Sequence, residues 1–127
     1  MLSKEKEVPL QQAERQYVAE LMLKVLEGEY SVREALEKFP RNIKDISVQC
    51  AWHALIHYEA DEEFRQKDSE YAEEQDYYLN SILLILQKGE SLPENILQEY
   101  NKYYGTVVYT ETQNIFSKLK SIFRFII

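Results

Sequence analysis

Four residues in this sequence share one helix face and a chemistry that can bind a metal: Cys50, His53, His57 and Asp61. The two histidines, the only ones in the chain, stand at i and i+4, so a helix sets them one above the other. That spacing suits two imidazoles closing on one Zn²⁺ or a similar divalent ion. The full row of four runs over three turns, about 16 Å at the α-helical rise, which is too long for one ion. A complete site therefore needs a third ligand, and Asp61, Glu70, Glu73 or Glu74 can supply one. The residue after the first histidine is Ala54, not the glutamate of a zinc-protease helix. The Glu-x-x-His pairs of di-iron bundles are missing too. The alternative reading of His53 and His57 is structural, as rings packed in or near the core. Cys50 lies in an apolar stretch, where thiols are inert, so no cysteine nucleophile is expected.

Catalytic motifs are otherwise lacking. There is no phosphate-binding loop, no dinucleotide fingerprint, no Gly-x-Ser-x-Gly and no Cys-x-x-Cys. The sequence reads as non-enzymatic, with no cofactor expected beyond the divalent metal that the histidine pair could hold.

Charge supplies a second kind of chemistry. The net charge is −7. Residues 59–76 hold nine acids and two bases, so the whole imbalance sits in one stretch. An acidic chain opposes nucleic-acid binding, which needs Lys and Arg against phosphates. The stretch reads as a solvated helix junction, a docking surface for a basic partner, or a source of metal-ligating carboxylates. The segment from Thr106 onward carries Glu111 against Lys118, Lys120 and Arg124. There Ile115, Phe116, Leu119, Ile122, Phe123, Ile126 and Ile127 recur at helical spacing, which predicts a basic amphipathic helix from about Thr110. Such a helix can close the chain's own core, fill a partner's groove or lie on an anionic membrane. Ten tyrosines add amphipathic rings suited to interfaces. Tyr17, Tyr78 and Tyr100 fall on apolar stripes and are expected in the core. Tyr77 and Tyr103 fall off them and, with Phe116, Leu119, Phe123 and Ile127, are the candidate interaction residues.

The elements that position these residues are helices. Three Gly and three Pro in 127 residues are too few for the turns of an all-β fold. Apolar residues make up 45%, enough for one globular core. The first helix is expected from Pro9, with Leu10, Tyr17, Val18, Leu21, Met22 and Val25 as its stripe and Gly28 past its end. Ser31-Val32-Arg33-Glu34 matches a capping box and opens a short second helix, stopped by Pro40. A third helix is expected over 45–66, apolar nearly all round up to Tyr58, hence central, and acidic and solvent-facing beyond it. Residues 45–88 form one helix or two, depending on a break at Asp68-Ser69. Tyr71, Gln75, Tyr78, Leu79, Ile82, Leu83 and Leu86 share the next face, which Gly89 terminates. Ser91 then caps a helix with Pro93 in its first turn, ending at Gly105. The expected architecture is an all-α, compact helical bundle of about five to six helices: two long-helix/short-helix hairpins plus a C-terminal amphipathic helix. Residues 1–127 read as one domain, with 106–127 a connector and amphipathic helix, docked or partner-binding. The lone cysteine, the absence of an apolar leader and the absence of a transmembrane run read as cytoplasmic. Three functions follow: an interaction module that self-associates or binds a protein partner, a metal-binding bundle on His53 and His57, and a peripheral membrane protein anchored by residues 110–127.

Overall fold

The computed structural model describes residues 4–104, and these form six helices with no strand among them. They are α1 (Lys4–Leu26), α2 (Val32–Glu37), α3 (Ile46–Ala60), α4 (Glu62–Lys67), α5 (Ser69–Gln87) and α6 (Glu94–Tyr104). The chain is thus the expected all-α bundle. The segment 106–127 and its residues Phe116, Leu119, Phe123 and Ile127 lie outside the described residues. So does the Tyr103 side chain.

Local chemistry explains most boundaries. Ser31 and Glu34 form the capping box at the start of α2: the Glu34 N–H donates to Ser31 Oγ at 3.1 Å, and the Ser31 N–H donates to Glu34 Oε1 at 3.3 Å. Gly28 and Gly89 take φ of +77° and +74° past the ends of α1 and α5, a region that glycine enters without steric cost. Asp68 caps α5, accepting from the N–H groups of Glu70 and Tyr71.

Other boundaries differ from expectation. Pro9 lies inside α1 rather than opening it; it is exposed and costs one intrahelical bond close to the helix start. The predicted 45–66 helix is divided at Asp61, giving three helices over 46–87 in place of one or two. The division is slight. The Asp61 N–H still donates to the His57 carbonyl, and Arg65 N–H to that of Asp61. Ser91 does not cap α6. Its hydroxyl pairs with that of Ser47, and Pro93 precedes the helix, accepting from Ile96 and Leu97 N–H.

The core gathers Val18 and Met22 from α1, Val48 and Leu55 from α3, and Leu79, Ile82, Leu83 and Leu86 from α5, all essentially inaccessible to solvent. Helices α1 and α5 make the most extensive pairing, while α3 touches all five others, as its nearly continuous apolar surface predicts. Leu10 and Tyr17 are more exposed than their stripe positions suggest. The inward face of α1 runs through Val18, Ala19, Met22 and Val25, and Tyr17 lies beside it, donating its hydroxyl to the Lys38 carbonyl. Arg15 joins three elements. Its Nε is 2.7 Å from Asp45 Oδ2 at the start of α3, and its Nη1 donates to the Gly89 carbonyl after α5. None of the described helices is long and apolar enough to cross a membrane.

Candidate functional site

Helix α3 carries Cys50, His53 and His57 down one face, and Asp61 follows one turn later. All four are buried, so the face predicted from spacing is real. Burial pushes the Cys50 thiol up to about 12, with the charge of Asp45 adding to the effect. The thiol is therefore protonated and unreactive at neutral pH. Burial also pushes His53 down to about 4 and His57 down to about 3, because an imidazolium loses its hydration there. Both rings are neutral at pH 7. The His53 ring lies 5.4 Å from that of Tyr100 on α6.

Asp61 turns inward and is only 1% exposed, contrary to the solvent-facing position expected for the acidic stretch. The reason is the set of donors gathered around it. Its Oδ2 accepts from the Tyr71 hydroxyl at 2.5 Å and from Gln75 Nε2 at 3.0 Å, and His57 Nε2 lies 3.3 Å away. Gln75 Nε2 also reaches the Tyr71 hydroxyl, and Gln75 Oε1 accepts from Arg65 Nη1 at 3.0 Å. Arg65 Nη1 donates as well to the Tyr58 carbonyl, and the guanidinium sits 3.5 Å from the centre of the Tyr58 ring. The Tyr58 hydroxyl ends the row on Asp76 Oδ1 at 2.7 Å. Burial, followed by that hydrogen bond, raises the Tyr58 phenol to about 12. One polar network thus runs from His57 through Asp61, Tyr71, Gln75, Arg65 and Tyr58 to Asp76, binding α3, α4 and α5 together. Most of its members escape pattern reading. The visible signal is Gln75, a polar residue on an otherwise apolar stripe.

This arrangement is enclosed. His57 and Asp61 hold a phenol, a carboxylate and an imidazole within reach of one another, but solvent does not reach the carboxylate or the imidazole. Of the proposed third metal ligands, Asp61 meets His57 directly, whereas Glu70, Glu73 and Glu74 are exposed on α5. Among the described residues, no group of three or more His, Cys, Asp and Glu side chains is placed to hold a metal ion.

The outer face of α5 is the second feature. Glu70, Glu73, Glu74, Tyr77 and Tyr78 stand at helical spacing and line a surface groove. Tyr78 is half-buried, its phenol raised to about 12 chiefly by burial. Tyr77 is 76% exposed, in keeping with its place off the apolar stripe. Leu84, two turns further along, is exposed as well. Tyr100, by contrast, is buried as its stripe position suggests.

Comparison with protein-family models, with curated proteins and with solved structures finds no match to this chain.

Proposed function

We propose that the chain is a non-enzymatic interaction module that self-associates through the groove on the outer face of α5. The observation that carries this reading is Tyr77, a large aromatic ring 76% exposed beside Tyr78 and three glutamates. Tyrosine is enriched at the buried centres of interfaces and among the residues that dominate their energetics. Such surfaces set aromatic residues at the centre and keep a polar, solvent-accessible rim around them. The buried polar network supports the reading indirectly. It braces the N-terminal half of α5 against α3 and α4, so the groove is carried on a fixed surface.

The test is oligomeric state by native mass spectrometry and analytical ultracentrifugation, for the full chain and for Tyr77→Ala. The expected result is a concentration-dependent oligomer whose dissociation constant rises about tenfold on truncation of the ring. A chain that stays monomeric at every attainable concentration overturns the reading.

A further inference from the structure

We infer that α4 is a strap: it opens from the bundle while α1, α3 and α5 stay folded, and Arg65 is the clasp that closes it. A helix of six residues does not persist by its own backbone bonds, because so short a run does not offset the cost of nucleation. Its order comes from what it packs against. Apolar burial supplies little of that here, since α4 has no buried residue and five of its six side chains are exposed. Arg65 is the exception, and its contacts are polar. The guanidinium lies 3.5 Å from the centre of the Tyr58 ring, and Nη1 donates to the Tyr58 carbonyl on α3 and to Gln75 Oε1 on α5. The fully buried side chains, such as Met22, Leu55, Leu79 and Leu83, belong to α1, α3 and α5. An element with few buried apolar contacts opens at lower free energy than the core beside it.

The two ends of α4 suit this motion. At Asp68 the backbone is extended, with φ −133° and ψ 103°, so α4 and α5 are not one continuous helix. At Asp61 two backbone bonds cross the junction with α3, from Asp61 N–H to the His57 carbonyl and from Arg65 N–H to the Asp61 carbonyl. Asp61 has a double place. It stands at the start of α4, and its carboxylate accepts from Tyr71 and Gln75 on α5. Gln75 couples the two ends of the device, because its Nε2 serves Asp61 while its Oε1 serves Arg65. Release of Arg65 therefore loosens the hold of Gln75 on Asp61. In the closed state Asp61 and His57 are each 1% exposed and 3.3 Å apart. The open state brings this pair towards water.

The test is hydrogen exchange of the full chain, read by mass spectrometry at pH 7.5 in water and in urea too dilute to unfold the protein. Amides 65–68 are expected to exchange at least about tenfold faster than amides 79–86, with a rate that urea hardly changes, because a local opening exposes little surface. Arg65→Lys keeps the charge and loses the planar, stacking fork. It is expected to speed exchange at 65–68 by about tenfold and to leave 79–86 unchanged, which also shows that the variant folds. Diethyl pyrocarbonate, which acylates accessible imidazoles, supplies a second readout. Arg65→Lys is expected to raise the reaction at His57 and not at His53, which lies beside Tyr100 on α6. Equal rates and urea dependence at 65–68 and 79–86 in the parent overturn the inference. So does an Arg65→Lys protein that matches the parent, or one in which both segments and both histidines respond alike.

Discussion

Asp61 shows how much a single side chain can decide in this fold. A carboxylate 1% exposed is costly to bury unless donors surround it, and here Tyr71 and Gln75 both bond Oδ2 while His57 lies 3.3 Å off. Removing the carboxylate strands those donors, whereas removing the Tyr71 hydroxyl takes away one of them. Tyr71→Phe is therefore expected to lower the unfolding free energy by about 1–2 kcal/mol and Asp61→Ala by about 3 kcal/mol, by the cost of unsatisfied buried groups. The double variant is expected to lose less than the sum, because both changes act on one network. Urea unfolding of the three variants at pH 7.5 checks this; strictly additive losses would show that the two side chains act separately. Part of the network was legible beforehand. Gln75 interrupts an apolar stripe, and Asp61 continues the His53–His57 face. What could not be read was the inward turn of Asp61, because a count of nine acids in 18 residues describes a neighbourhood and not the direction of any one side chain.

At the level of elements, the two left-handed glycines separate backbone strain from crowding. Gly28 and Gly89 have nearly equal φ, +77° and +74°, so any side chain meets similar strain at both, of order 1–2 kcal/mol. Their surroundings differ. A Cβ on Gly28 meets nothing within 4 Å, whereas one on Gly89 comes to 3.0 Å from Gln12 Cβ and 3.5 Å from Gln12 Cα. Those atoms belong to the root of the side chain and to the α1 backbone, so they cannot rotate away. Gly89→Ala is expected to lower the melting temperature distinctly more than Gly28→Ala, as differential scanning calorimetry can show. Equal losses would mean that α1 yields freely to α5 at this point. Both glycines were visible as helix stops because the signal is local. The capping box at Ser31 was visible for the same reason. Ser91 misled because its hydroxyl answers to Ser47, 44 residues away, and no local pattern carries that information. The pairing of α1 with α5 was hidden likewise, since an apolar stripe declares a buried face without naming the helix that covers it.

Across the whole molecule, the buried histidines tie folding to pH. With His53 and His57 lowered to about 4 and about 3 by burial, the folded chain keeps both rings neutral down to those values. The unfolded chain protonates them near pH 6.5. Above pH 6.5 neither state binds these protons, and their contribution to stability is fully present. Below it the unfolded state takes up protons that the folded state refuses, so stability falls as pH falls. The two histidines together cost up to about 3 kcal/mol per pH unit between pH 6.5 and their folded values. A domain of ordinary stability, about 5–15 kcal/mol, loses a large share of it within two units. The expected outcome is a steep fall in urea-unfolding free energy between pH 6.5 and 4.5. His57→Gln is expected to reduce that slope by about half, because one of two equal contributions is gone. Asp61 bears on the result, since a carboxylate 3.3 Å from His57 Nε2 favours the charged ring while burial opposes it. A parent protein whose stability falls only about half as steeply, with a slope that His57→Gln leaves unchanged, would show that the carboxylate prevails and His57 is protonated inside the fold. The enclosed network would then be a buried ion pair, with the α3–α5 junction held by charge in place of neutral hydrogen bonding.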